Sequence, residues 1–222
     1  MGMHSVHAQS SCASDGQPKP VQLVERFINA DCEICWRDAA TPKAAKNQAV
    51  LDWVLPGGKG EDAPLSAVAS RDGLGRLDAL RITAPAERMS ATGADMPAKG
   101  ASLRVAHGIA LSGYIGTSIE LMLMSAAVKN QRLSAWLALV EAIPSGTEGT
   151  PIDRYLVRNV LSVPWNTSSQ PASAKAERFF ESRSMSVAQG VNADRLAVIG
   201  WVEDASGRVV AAAQSRCPPI AN

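Results

Sequence analysis

The chain has 222 residues, of which 46% are hydrophobic, enough for a sizeable core. Its 22 Lys and Arg residues against 21 Asp and Glu residues leave a formal charge of +1, which argues against a disordered chain and against a nucleic-acid-binding polycation. No apolar run reaches the roughly 18 residues of a membrane-spanning helix. We therefore expect a folded protein of one large or two small domains, with no membrane span and no nucleic-acid partner.

The N-terminal segment is similar to the end of a secretion signal. Residues 6–10, Val-His-Ala-Gln-Ser, have the small side chains typical of a cleavage site, but the apolar stretch of a complete signal is not in the sequence. We predict an exported protein, periplasmic or secreted, with most of its leader missing and residues 1–19 disordered.

The cysteines point to the same compartment. They are even in number, and Cys12 and Cys217 lie near the two ends of the sequence, as in disulfide-bonded exported proteins. Three pairings are available to four cysteines. Proximity favours a Cys32–Cys35 disulfide, which leaves Cys12 to pair with Cys217. The alternative is four free thiols in a cytosolic protein.

The first third of the chain alternates between strand and helix signals. Residues 21–30 are typical of a buried strand and residues 49–55 of a second strand. Between them, residues 32–40 are typical of a helix that extends to about residue 48, with Thr41-Pro42 either kinking it or restarting it. Residues 63–80 have the apolar spacing of a helix despite two glycines. This β-α-β-α order predicts an α/β domain over residues 20–98.

The second half of the chain has a different pattern of predicted elements. Residues 83–100 contain two prolines and two glycines and are the predicted linker, although a short strand pair of the first domain is compatible with them. No convincing helix follows. Seven predicted strands cover residues 103–112, 115–124, 133–143, 154–163, 178–187, 195–203 and 208–214. Seven short strands suit an antiparallel immunoglobulin-like β-sandwich, which we assign to residues 99–222.

The Cys-x-x-Cys pair follows a predicted strand and opens a predicted helix, the context in which this spacing indicates thiol–disulfide chemistry. At a helix start the thiolate of Cys32 would attack a substrate disulfide and Cys35 would resolve the mixed intermediate. The carboxylates of Asp31 and Glu33 oppose this ionisation by like-charge repulsion, so we expect a weakly activated nucleophile. The alternative is an inert disulfide that pins the strand to the helix.

Three stretches near this motif carry a resemblance to a group of proteins. They are residues 25–35, which end in Asp-Cys-Glu-Ile-Cys, Leu-Asp-Trp at 51–53, and Asp-Ala-Pro-Leu at 62–65. They resemble exported bacterial thioredoxin-like proteins of uncharacterised function, in which a strand ends in Cys-x-x-Cys and the next strand carries Asp before an aromatic residue. Residues similar to the β-rich module of that group lie at 135–141, 155–160 and 196–212.

The resemblance implies an α+β protein in which an N-terminal thioredoxin-like α/β domain precedes the β-sandwich, with a redox role outside the cytoplasm. Thioredoxin-like enzymes place a cis-proline opposite the active-site cysteines, where it grips peptide substrates. Pro85 is the candidate for that substrate-binding position and Pro97 is the other, although neither lies in a clear strand context. Protein thiols or disulfides would then be the substrates.

Three further residues are candidates for the site around the cysteines. Trp36 and Trp53 would wall a substrate groove, although tryptophans more often pack in a core. Asp52, an acid inside an otherwise apolar strand, would take a proton from Cys35. Glu61 and Asp62 are weaker members of the same acid set, because acids on loops are usually solvated.

The remaining motifs give little indication of function. His107 lies on an apolar strand face and is predicted to be a core histidine rather than a ligand. No phosphate-binding loop, dinucleotide fingerprint or metalloprotease motif occurs, so we predict no cofactor and no metal. Asn166-Thr167-Ser168 matches a glycosylation acceptor. We hypothesise a thiol–disulfide oxidoreductase acting through Cys32 and Cys35; the rival is a non-catalytic binding or structural protein whose disulfide is a staple.

Overall fold

The computed structural model describes residues 12–85, 90–96, 101–123, 132–166 and 177–217. Of these residues 53% lie in strands and only 13% in helices. The predicted thioredoxin-like α/β domain is therefore wrong, because the protein is sheet-rich and its described part contains two short α-helices. Neither described helix is long and apolar enough to cross a membrane.

The described elements follow one another along the chain as eleven strands and two α-helices. The strands are β1 (Cys12–Ala13), β2 (Gln22–Asn29), β3 (Gln48–Leu55), β4 (Ser90–Asp95), β5 (Ala101–Leu111), β6 (Tyr114–Leu123), β7 (Arg132–Ile143), β8 (Arg154–Asn166), β9 (Glu177–Ser186), β10 (Leu196–Asp204) and β11 (Val209–Gln214). The helices are α1 (Glu33–Arg37) and α2 (Asp72–Leu80). Strands β5 to β11 occupy the seven stretches that the sequence indicates for them.

The strands form two sheets. One has four strands in the order β1-β5-β6-β9, and the other has seven in the order β11-β10-β7-β8-β3-β2-β4. Within the larger sheet β3 is parallel to both β2 and β8, whereas the other pairs are antiparallel. The parallel pair β2/β3 is connected through α1, so the Cys-x-x-Cys motif lies at the end of β2 as expected.

The first helix is much shorter than the sequence suggests. It stops at Arg37, and Asp38 adopts an extended conformation in which its carboxylate accepts a hydrogen bond from the amide of Ala40 at 2.8 Å. Pro42 disfavours helical geometry at the residue before it and lacks the amide hydrogen that a continued helix would use. The predicted helix over residues 32–48 is therefore one short turn followed by a loop.

The larger sheet joins both halves of the sequence. Strand β3 is buried along nearly its whole length and uses β8 as its second neighbour, while β4, within the predicted linker, pairs with the outer edge of β2. A parallel strand buried on both faces needs partners on both edges. For this reason β2, β3 and β4 do not form a sheet by themselves, and β3 pairs with β8 as well. The division at residue 98 stays a prediction, with strands from both sides of it in one sheet.

The two faces of the larger sheet carry different layers. Side chains alternate along a strand, so neighbouring residues of β2 and β3 face opposite layers. Helix α2 packs on one face, where its Leu77 joins Phe27 and Trp53 in one apolar cluster. On the other face, α1 covers the β2/β3/β8 part and the four-stranded sheet covers β7, β10 and β11. The α1 layer contains Ile28, Ala30, Cys32, Cys35, Trp36, Val54, Ala63, Ile143 and Leu156.

Candidate functional site

Both predicted disulfides are present. Cys32 and Cys35 are joined across one turn, with their Cα atoms 5.3 Å apart, and Cys12 is joined to Cys217 across 205 positions of sequence. Two disulfides indicate an oxidising environment outside the cytoplasm. The pair at α1 is poorly exposed, since Cys32 and Cys35 are each 7% exposed, whereas Ile34 between them is 77% exposed.

The carboxylates of Asp31 and Glu33, next to Cys32 in the sequence, both have partners of their own. Asp31 accepts hydrogen bonds from the backbone amides of Gly58, at 2.7 Å, and Lys59, at 3.2 Å. Glu33 forms an exposed ion pair with Arg37 at 2.6 Å. The repulsion expected between these carboxylates and a thiolate is thereby weakened, but α1, at five residues, offers little helix dipole to favour the thiolate either.

Close packing of backbone and side chain fixes the loop that holds Asp31. A Cβ atom on Gly57 would lie 2.6 Å from Oδ1 of Asn29 and would overlap the Asp31 carboxylate, so only glycine fits there. The same Asn29 oxygen accepts from the Asp31 amide at 2.9 Å. Asn29 also donates through Nδ2 to the carbonyl of Pro85 at 3.3 Å, which brings the predicted substrate-binding proline to the end of β2.

Asp52 is held between two arginines. It is fully buried and accepts from Nη2 of Arg26 at 2.6 Å and from Nη1 of Arg154 at 3.0 Å. The backbone amide of Tyr155 donates to the same carboxylate at 2.8 Å. With two guanidinium groups and a backbone amide around it, Asp52 is an ion-pairing residue in this structure, and the proton transfer predicted for it has no support here.

Arg154 connects Asp52 to the cysteine helix. Its Nη2 donates to the carbonyls of Cys35, at 3.2 Å, and Trp36, at 2.8 Å, and its guanidinium lies 4.7 Å from the centre of the Trp36 ring. The Trp36 indole in turn donates to the carbonyl of Glu148 at 2.8 Å. Burial lowers the pKa of Arg154, while Asp52 opposes that change. The buried Asp52–Arg154 ion pair thus anchors the helix that carries Cys35.

Trp53 lies on the opposite face of the sheet from Trp36 and does not line a groove beside the cysteines. It is 1% exposed, and its indole donates to Glu25 at 3.1 Å. Arg76 binds Glu25 through Nε and Nη2 and also pairs with Glu203. This second buried ion cluster was not predicted from the sequence.

Three of the five tryptophans of the chain donate to this Glu25–Arg76–Glu203 cluster. Trp136 and Trp201 each donate to Glu203 at 3.1 Å, and their rings stack with centroids 5.6 Å apart beneath the Arg76 guanidinium. Burial raises the pKa of Glu25, and the neighbouring Glu203 charge adds to that effect. The available signal was the acids Glu25 and Glu203 within predicted strands, which does not say which charges meet.

The remaining predicted residues lie partly within and partly outside the described residues. No cis peptide bond occurs among the described residues, which include Pro85, whereas Pro97 and the glycosylation positions Thr167 and Ser168 lie outside them. His107 is a buried strand residue, 3% exposed, as predicted for a core histidine. Glu61 and Asp62 are exposed on a single 3₁₀ turn.

Comparison with known proteins gives a likeness to solved structures and no family match. No protein-family model matches the chain, and no curated protein matches it. Among solved structures, HBP35 of Porphyromonas gingivalis is similar with a TM-score of 0.51, at 12% sequence identity over 94% of this chain and 80% of that one. At this identity the likeness concerns the fold alone.

Proposed function

We propose that this chain is a non-catalytic protein of the periplasm or the secreted space that binds a protein partner, and that its Cys32–Cys35 disulfide is a structural staple. The observation that carries the proposal is the burial of both cysteines, each 7% exposed, in an apolar layer with Trp36. Thiol–disulfide exchange needs an incoming thiolate to reach a sulfur atom, and low exposure slows that approach.

The anchoring of α1 supports the same proposal. Asp52 holds Arg154, and Arg154 holds the carbonyls of Cys35 and Trp36, so the short helix is fixed at its C-terminal end. The disulfide fixes its N-terminal end. A helix held at both ends keeps Ile34 in one place on the surface, where a rigid, exposed apolar side chain suits contact with a partner.

Thiol–disulfide exchange remains the second candidate because of where the motif lies. Cys32 lies three residues after the end of β2, which pairs in parallel with β3. The two residues inside the disulfide ring, Glu33 and Ile34, are exposed. Loops at the carboxyl ends of parallel strands commonly carry function. This geometry would let a substrate reach the ring from the solvent side.

A redox assay separates the two candidates. We would measure insulin reduction by the whole chain, with Cys32→Ser/Cys35→Ser as the matched control, and determine the potential of each disulfide by equilibration, alkylation and mass spectrometry. The staple predicts no turnover above the control and a potential below about −300 mV for the Cys32–Cys35 pair. Turnover that is lost in the Cys32→Ser variant would establish the oxidoreductase instead.

A further inference from the structure

We propose that Cys12, Cys217 and His107 form a redox-gated zinc site. When a dithiol reduces the Cys12–Cys217 disulfide, the two sulfurs and Nε2 of His107 bind one Zn²⁺ ion. The ligand atoms of these three residues already lie within 4.8 Å of one another. The site is remote in sequence from the Cys-x-x-Cys motif and does not depend on the function proposed for that motif.

Strand pairing brings the three residues together. In the four-stranded sheet β1 pairs with β5 so that Cys12 lies directly opposite His107. Ala13 and Arg216 exchange two backbone hydrogen bonds, of 3.2 and 3.0 Å, which bring Cys217 alongside Cys12. Backbone pairing therefore sets the arrangement, and it persists when the S–S bond is opened.

The hydrogen bonding of His107 prepares its free nitrogen for a metal. Nδ1 lies 2.8 Å from the carbonyl oxygen of Gly108, and because a carbonyl only accepts, Nδ1 carries the proton. Nε2 then has a lone pair, and this buried atom has no hydrogen-bond partner within the described part of the chain. Metal-binding histidines commonly show this arrangement, with one nitrogen bonded to a carbonyl and the other on the ion.

The spacing fits a tetrahedral zinc ion. Bonds of about 2.3 Å to sulfur and about 2.0 Å to nitrogen place the ligand atoms roughly 3.5–3.8 Å apart. The two sulfurs must therefore separate after reduction, and their positions allow it, since Cys12 lies on a two-residue edge strand and Cys217 is exposed. Two thiolates, one imidazole and a water molecule would complete the four ligands.

The chemistry balances with a dithiol as the reductant. The dithiol gives two electrons and two protons to the Cys12–Cys217 disulfide and becomes a disulfide itself, which leaves two protein thiols. Binding of Zn²⁺ then releases the two thiol protons. Two thiolates neutralise the charge of the ion, so a site that is nine-tenths or more buried at Cys12 and His107 gains no net charge.

Cobalt binding tests the proposal directly. The Cys32→Ser/Cys35→Ser chain, which retains only the Cys12 and Cys217 thiols, is reduced with dithiothreitol, desalted without oxygen and titrated with Co²⁺. We expect one ion per chain, thiolate-to-cobalt charge-transfer absorption, the visible bands of a tetrahedral ion, and displacement by Zn²⁺. The oxidised chain should bind none. Absence of these bands in the reduced chain, or equal binding by the oxidised chain, would overturn the proposal.

Two variants assign the ligands. His107→Phe in the same background should weaken Zn²⁺ binding by at least about ten-fold, with circular dichroism to verify that the chain is folded. If that variant does not fold, Cys217→Ser alters an exposed position and should abolish the charge-transfer band. Unchanged affinity in a folded His107→Phe chain, or a retained band in Cys217→Ser, would contradict the site.

Discussion

The two disulfides of this protein differ in how they stabilise the fold and in how exposed their cysteines are. Cys32–Cys35 closes a sequence separation of 3 residues and has both cysteines buried above a cluster of arginines. Cys12–Cys217 closes a separation of 205 residues, has one buried and one exposed end, and lies against a histidine. Loop length determines how much each bond restricts the unfolded chain, whereas its surroundings determine how a reductant reaches it.

The largest expected effect comes from the long-range bond. On the chain-entropy model its removal in Cys12→Ser/Cys217→Ser lowers the free energy of unfolding by about 5 kcal/mol, against about 2 kcal/mol for Cys32→Ser/Cys35→Ser. Denaturation by urea, followed by tryptophan fluorescence, measures both. Equal losses in the two double variants would show that local contacts, not loop closure, set the contribution of each bond.

The next effect belongs to the surroundings of Cys32–Cys35. Asp52→Ala leaves Arg26 and Arg154 buried without their carboxylate and should cost about 3–5 kcal/mol of unfolding free energy. Asp15→Ala, which removes the exposed ion pair with Arg104, is the matched control and should cost less than about 1 kcal/mol.

The same substitution should change the reduction rates of the two disulfides differently. Because Arg154 loses its support, reduction of Cys32–Cys35 by dithiothreitol should accelerate in Asp52→Ala, while Cys12–Cys217 keeps its rate. Alkylation at successive times, read by mass spectrometry, follows each bond separately. A parallel acceleration of both bonds would indicate general loosening of the fold rather than anchoring of α1.

The smallest effect concerns pH and the histidine beside Cys12–Cys217. Burial lowers the pKa of His107 in the folded chain, whereas the unfolded value is about 6.5. Its contribution to stability is therefore complete above about pH 6.5 and is lost as the pH falls through the folded pKa. The melting temperature should fall between pH 7.5 and pH 5, and less steeply in His107→Phe.

The buried acid Glu25 changes stability with pH in the opposite direction to His107. The His107 contribution is therefore measured by comparing the wild-type chain with His107→Phe. Its raised pKa means that its contribution is complete below the unfolded pKa and is lost as the pH rises through the folded one. Both groups affect how the melting temperature of the wild-type chain changes with pH, but only the His107 contribution is absent from His107→Phe. Identical slopes in the two proteins would contradict the role assigned to this histidine.

Much of the strand pattern was predictable, whereas the charged clusters were not. Alternating apolar residues indicate β5 to β11, and the spacing of Cys32 and Cys35 indicates their bond. The partners of the buried charges are 51 residues apart for Glu25 and Arg76, 102 for Asp52 and Arg154, and 127 for Arg76 and Glu203. Periodicity reports which residues are buried, not which distant residues meet.

Local spacing in the sequence indicates β2, β3 and β5 to β11, the position of the Cys-x-x-Cys motif after β2, and the Cys32–Cys35 bond, whereas the Cys12–Cys217 bond, across 205 positions, follows only by elimination. The tertiary structure adds that β3 has β8 as its second neighbour, that Asp52 pairs with Arg154, and that His107 lies beside Cys12. These contacts arise from the order of strands in the sheets, which pairing between distant segments establishes.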